Sequence, residues 1–227
     1  MTVLRFFTAF FLLVAALSVQ ADLLRIEAGV GAFNADPGGT FESDTPKIVI
    51  DLKDDLKVDT ENDLYAWAYI KHPIPIVPNV RVEYLSLKHN PESEASFDVN
   101  EIDGILYYNI LDNMFFMTLD LGVDVKYIDT DQPNYSSETA IIGLLYGRFR
   151  VDPLKWLGVE AILKMTNYNE NSGYDARLKV DLTMSFVPIV QPAFELGYRV
   201  HDIDYEIGSL INKSNYKGVY AGLMVRF

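Results

Sequence analysis

The most constraining feature of this chain is an alternation of apolar and polar residues that holds charged groups on one side over long runs. Within residues 115–127 every odd-numbered residue is apolar or aromatic, and the even-numbered residues include Asp120, Asp124 and Lys126. A helix would spread these charges around its circumference, whereas successive side chains of a β-strand point to opposite faces. The pattern therefore predicts a long strand with one apolar face and one charged face.

The same alternation recurs along the chain and predicts an all-β fold of about ten strands, with eight as the alternative count. The ten prolines fall between the predicted strands, where their missing N–H groups break no ladder. One run changes phase near Glu101, which we interpret as a β-bulge. The predicted strands lie within residues 24–32, 63–71, 80–84, 97–111, 115–127, 141–151, 157–166, 174–186, 195–201 and 218–227.

The connections between these strands alternate between short and long. Segments 72–79, 112–113, 152–156 and 187–192 are short, and the intervening ones, above all 34–62, are mostly longer and polar. With an even number of strands, this alternation places both chain ends on the side of the short turns. The layout is typical of a transmembrane antiparallel up-and-down β-barrel with both termini in the periplasm.

The apolar stripes carry aromatic residues at both ends, which favours lipid outside the barrel over a soluble, lipocalin-like barrel with an apolar interior. Two aromatic belts one strand apart match the two interfaces of a bilayer. The expected belt at the long loops is Tyr84, Tyr127, Tyr168, Tyr174 and Tyr216. The expected belt at the short turns is Phe115, Phe149, Trp156, Phe186, Phe194 and Phe227.

The first residues have the pattern of a secretory signal. Arg5 precedes an apolar run over residues 6–17, and Val19 and Ala21 suit a cleavage site. The run is short for a transmembrane helix, although an N-terminal membrane anchor is the alternative. We expect a cleaved signal peptide at residues 1–21 and a single barrel domain at residues 22–227, exported through the periplasm to the bacterial outer membrane.

Charge and cysteine content exclude several classes of function. The formal net charge of -13 argues against nucleic-acid binding. The absence of cysteine excludes disulfides, thiolate metal sites and cysteine nucleophiles. No metal-ligand cluster or phosphate-binding loop is visible, so we expect no cofactor. The expected partners are outer-membrane lipids and lipopolysaccharide, periplasmic chaperones and the barrel assembly machinery, with the chain itself a monomer.

The chain also resembles known bacterial proteins in two respects. Its final amphipathic strand and terminal Phe227 resemble the ends of outer-membrane barrels, where this residue acts as an assembly signal. Three stretches resemble small proteobacterial outer-membrane β-barrel proteins of unassigned function: residues 25–33, 51–56 and 66–81, the last being the most distinctive. The resemblance implies a fold and a location but no activity.

The charged faces predict what fills the barrel. Both signs of charge are interleaved within single strands, so we expect paired networks in a narrow interior and either a structural role or a narrow pore for small solutes. The residues expected to form the lumen network are Asp120, Asp124, Lys126, Arg148, Arg150, Arg177, Lys179 and Asp181.

Two alternatives to a structural or pore function remain open. His201, with Asp202 and Asp204 after it, is a candidate for a catalytic group at the outer rim. It would make the protein a lipid A-modifying enzyme or an omptin-like protease, although no second aspartate pair is apparent. The other alternative is a binding protein or adhesin that uses its long loops.

An acidic run within residues 51–63 lacks the spacing of a calcium loop.

Overall fold

The chain folds into a closed antiparallel barrel of ten strands with an eleventh, short strand in its first loop. The computed structural model describes residues 24–44, 47–91, 97–131, 138–168, 171–186, 190–207 and 210–227. In chain order the strands are β1 Arg25–Asp44, β2 Lys47–Asp51, β3 Glu61–Lys71, β4 Asn79–His89, β5 Phe97–Met114, β6 Met117–Asp131, β7 Glu138–Leu154, β8 Leu157–Tyr168, β9 Asn171–Thr183, β10 Gln191–Ile207 and β11 Leu210–Arg226.

Each barrel strand pairs with its neighbours in sequence, so the up-and-down order is confirmed, and the sheet closes where β11 pairs with β1. This seam runs without a break from Glu27 opposite Arg226 to Ser43 opposite Leu210. The backbone of Phe227 extends it, because its N–H donates to the carbonyl of Ile26 at 2.9 Å. Both ends of the described chain therefore lie at the same end of the barrel as the short turns.

The alternation seen in the sequence is the alternation between the two sides of the wall. Along β9, Leu178, Val180 and Leu182 are exposed on the outside, whereas Lys179 and Asp181 are buried inside. The outer surface is a band of Val, Leu, Ile and aromatic side chains, and the interior holds the charges. Within the described ranges the chain has no helix long and apolar enough to cross a bilayer.

Glycines on the inner face make room for the largest interior rings. Gly29 lies next to Trp67 in the ladder between β1 and β3, and a Cβ built on Gly29 would lie 2.5 Å from the indole nitrogen. Gly197 has the same relation to the ring of Tyr220. A side chain at either position would push the adjacent ring further into the lumen. These glycines therefore allow the large rings to pack tightly inside the barrel.

Four details of the fold differ from the sequence-based predictions. The first loop is partly strand, since β1 continues to Asp44 and β2 pairs with its outer end. The inner face of β5 keeps one phase through Glu101 and Asp103, and its register shifts lie between Asn109 and Met114 instead. The β5–β6 turn is at residues 115–116, not 112–113. Three prolines lie inside strands, namely Pro37, Pro153 and Pro192.

The aromatic belts are present with one exception. At the end of the long loops Tyr127, Tyr168 and Tyr174 are exposed and Tyr84 is half-buried, and all six aromatics predicted for the other end are exposed. Tyr216 was wrongly assigned to the belt, because the register of β11 turns it into the barrel, where it is 3% exposed. The predicted signal peptide at residues 1–21 lies outside the described residues and stays a prediction.

Candidate functional site in the barrel interior

An extended ion-pair network fills the interior of the barrel. Ten carboxylates in it have side chains no more than 3% exposed. Ten basic side chains face them, so the charges of the network are balanced in number. The carboxylates are Glu27, Glu83, Glu101, Asp103, Asp120, Asp124, Glu160, Asp175, Asp181 and Glu195. The bases are Arg25, Arg81, Lys126, Arg148, Arg150, Lys164, Arg177, Lys179, Arg199 and Arg226.

Near the short-turn end, the pairs link neighbouring strands. Arg148 on β7 contacts Asp120 on β6 at 2.7 Å and Glu160 on β8 at 2.6 Å. Arg150 contacts Asp181 on β9 at 2.6 Å and Glu160 on β8 at 3.5 Å, with Asp152 of its own strand as a further partner at the mouth. The fork of N–H donors on each guanidinium suits it to two carboxylates at once, so each arginine joins three strands.

At mid-height the pairs cross the lumen. The ammonium of Lys164 on β8 lies 2.5 Å from Glu83 on β4, 2.9 Å from Asp103 on β5 and 3.4 Å from Asp124 on β6. Arg177 on β9 donates to the same Glu83 carboxylate at 2.6 Å. In a ring of ten strands β4 and β9 are diametrically opposite, so this contact spans the full width of the barrel.

Aromatic rings occupy the space beside these charges. The hydroxyl of Tyr65 and the indole N–H of Trp67 both donate to Glu195, at 2.8 and 3.0 Å. The cationic groups of Arg81 and Lys179 each lie 4.6 Å from the Trp67 ring, within the range of a cation–π interaction. A cavity of about 20 Å³ lies between these side chains, enough for about one water molecule.

The outer end of the lumen is closed by a second contact across the barrel and by the first loop. The Nε2 atom of His201 on β10 lies 3.0 Å from Glu101 on the opposite strand β5. Above this contact the loop residues Leu52, Leu56 and Val58 belong to the same buried apolar cluster as the interior side chains of the wall strands. The Asp51 carboxylate holds this loop in its turn by accepting the N–H groups of residues 53 and 54.

The candidate catalytic group does not assemble. His201 points into the lumen, and Asp202 and Asp204 follow at positions of the opposite face, on the outside of the extended β10. The carboxylates that approach His201 are Glu101 and, at 3.9 Å, Asp175. Among the described residues, no three His, Asp or Glu side chains are grouped to hold a metal ion.

Outside the barrel, above the apolar band, the charges are exposed and weakly held. Lys53 donates to Asp36 at 2.6 Å, and this hydrogen bond lowers the pKa of the Asp36 carboxyl. Partial burial, and then the negative charge of Asp202, raise the pKa of Asp204. These groups on β1 and β10 face solvent, so their interactions contribute little to the free energy of unfolding.

The eight side chains predicted for the lumen network all point into the barrel, and half of them pair only with groups outside that set. Only two pairs form within the set, Asp120 with Arg148 and Arg150 with Asp181. The other four reach acids or bases outside it: Asp124 reaches Lys164, Lys126 reaches Glu101 and Asp103, Arg177 reaches Glu83 and Asp175, and Lys179 reaches Glu160 and Glu195.

Glu101 and Asp103 were missed as members of the network, whereas His201 hydrogen-bonds in the lumen as expected if it is not catalytic. The inner face of β5 carries apolar residues as well as the acids, since Ile105 and Tyr107 also point into the lumen. Both faces of this strand therefore look apolar in the sequence. The feature that could have identified Asp103 as a partner is the register of β5 against β6, which places it opposite Lys126.

Comparisons with known proteins support the fold alone. No protein-family model matches the chain, and no curated protein matches its sequence. The outer membrane protease OmpT from Escherichia coli has a similar structure, with a TM-score of 0.53 and 10% identity over 92% of this chain and 98% of that one. The toluene transporter TodX of P. putida matches at a TM-score of 0.22 and 7% identity over 94% of this chain and 92% of that one. The fold is thus that of an outer-membrane barrel.

Replacing Lys164 by methionine should destabilise the barrel by about 3–5 kcal/mol, because several carboxylates would remain buried without their shared cation. The matched control is Lys213→Met, which removes the exposed pair with Glu42 and should cost at most about 1 kcal/mol. Urea unfolding of both variants in lipid vesicles measures the difference. Equal stability of the two variants would show that the mid-lumen network does not hold the barrel together.

Proposed function

We propose that this chain is an integral outer-membrane protein with a sealed barrel and a structural role in the cell envelope. The observation that carries the proposal is the pair of contacts between opposite strands, Arg177 with Glu83 and His201 with Glu101. Each contact occupies the axis of the barrel at its own height. Side chains that meet across the lumen obstruct an aqueous path along it, which favours a structural role over a pore.

The shape of the wall supports the same conclusion. Cα atoms of β7 and β10 approach within 8 Å of each other although two strands separate them around the ring. The wall is therefore pinched between β7 and β10, which leaves little room for water beside the side chains there. A narrow pore would need water beside these side chains, and the 20 Å³ cavity near Trp67 is too small for a file of water molecules.

The proposed location is the bacterial outer membrane, reached through the periplasm. The outward band of apolar residues with an aromatic belt at each end is the surface that lipid selects. Lipopolysaccharide and phospholipid are the proposed partners of this band. Recognition of Phe227 by the barrel assembly machinery remains a prediction, as does a monomeric state.

A membrane location predicts a depth-dependent cost for charge on the outer face. Leu178 is 57% exposed and lies between the belt residues Tyr174 and Phe186, so Leu178→Arg should destabilise the barrel in vesicles by about 2–4 kcal/mol. Thr139→Arg, at the outer end of β7, is the control and should cost about 0–1 kcal/mol. Equal, small costs in urea unfolding would place Leu178 in water and contradict the membrane location.

A sealed lumen predicts that the protein does not conduct ions across a membrane. The purified protein, inserted into a planar bilayer, should give no steady conductance above that of the bare membrane, because the cross-lumen pairs block the axis. A general porin inserted in the same chamber is the control for the bilayer. Large and steady steps of current through the wild-type protein would contradict the structural role and show that the protein forms a pore.

A further inference from the structure

The short turn between β3 and β4 is unusually apolar for a segment at the end of a barrel. Residues 72–78 contain three prolines and no Asp, Glu, Lys or Arg. Ile74, Ile76 and Val77 are 55%, 86% and 47% exposed. A cluster of exposed aliphatic side chains with no charge among them marks a surface that contacts something other than water.

Three of the four backbone N–H groups of this turn have acceptors within the turn or next to it. Its three prolines have no N–H group to satisfy. The N–H of His72 donates to the Asn79 side chain at 2.9 Å, that of Ile74 donates to His72 Nδ1 at 3.2 Å, and that of Val77 donates to the Ile74 carbonyl at 3.3 Å. Backbone that enters lipid must satisfy its polar groups internally, and a turn in water has no such need.

The His72 ring closes the turn on itself. Its Nε2 lies 3.1 Å from the carbonyl of Pro78, while Nδ1 accepts from Ile74. This geometry assigns the proton of a neutral imidazole to Nε2. One side chain thus satisfies a donor and an acceptor of the turn at the same time.

A hydrogen bond fixes the turn against the outer wall of the barrel. The hydroxyl of Tyr108 on β5 donates to the carbonyl of Ile76 at 2.9 Å. Tyr108 faces outward, 44% exposed, and its ladder partner Leu121 is 48% exposed on the same apolar face. Since β5 continues past Tyr108 to Met114, the turn lies beside the apolar wall and does not extend beyond it.

We propose that residues 72–78 form a membrane anchor that inserts Ile74, Ile76 and Val77 into the periplasmic leaflet at the boundary between headgroups and acyl chains. The inference rests on the proposed function, since it needs the apolar wall to face lipid. The occupant is lipid because the turn is continuous with that wall. Tyr108, with its ring on the apolar face and its hydroxyl bonded to the turn, suits this boundary.

The absence of cysteine from the chain makes the test direct, because a single cysteine can be labelled cleanly. Ile76→Cys, Leu121→Cys and Asp54→Cys are each labelled with a nitrobenzoxadiazole fluorophore and reconstituted in phosphatidylcholine vesicles with and without brominated acyl chains. Leu121 reports the apolar wall, and Asp54 is an exposed residue of the outer loop. We expect blue-shifted emission and quenching by brominated lipid at positions 76 and 121, and neither at position 54.

The outcomes separate the two claims. Quenching at position 121 but not at position 76 would overturn the anchor and leave the membrane barrel standing, with a periplasmic protein as the remaining occupant of the turn. Absence of quenching at position 121 would overturn the membrane barrel itself. Tyr108→Phe in the Ile76→Cys background removes the hydrogen bond and should reduce quenching at position 76; unchanged quenching would show that Tyr108 does not hold the turn.

Discussion

The constraint on which this structure depends is that every charge inside the barrel needs a partner of opposite sign. Taking a carboxylate or an ammonium group out of water costs several kcal/mol, and only close, well-oriented pairs recover that cost. The interior meets the requirement with ten carboxylates and ten bases. Because these charges balance, the net charge of -13 comes from residues outside this network.

The same requirement explains why the network crosses the lumen. Local pairs are not sufficient, since Glu83 on β4 contacts Arg81 on its own strand and also Lys164 and Arg177 on β8 and β9. Long basic arms reach across a ten-stranded barrel, and glycines such as Gly29 leave space for rings such as Trp67 between them. The walls are therefore joined by side chains as well as by the backbone ladder.

The strands and their faces could be predicted because alternation is a local property. Runs such as 174–186 have no apolar residue on the charged face, so the inside and the outside were evident from the sequence. The alternation is ambiguous where the lumen is itself apolar. Ile105 and Tyr107 blur the faces of β5, and Tyr216 is an interior residue that looks like a member of an aromatic belt.

The partners inside the site could not be predicted from the sequence. Alternation determines that Lys164 points inward, but its neighbours depend on the register and curvature of strands far apart in the chain. His201 is a further example, since adjacency suggested Asp202, whereas the fold places Glu101 of the opposite wall beside it. Pairing across the lumen is a property of closure, which local sequence does not encode.

The central claim, that opposite walls are joined by mutually dependent charges, is tested most directly by a double-mutant cycle on Lys164 and Glu83. Stabilities of wild type, Lys164→Met, Glu83→Gln and the double variant are measured by urea unfolding in vesicles. We expect the double variant to lose about 0.5–3 kcal/mol less than the sum of the single variants, because each single change leaves a buried charge that the other removes. Strictly additive losses would contradict the account.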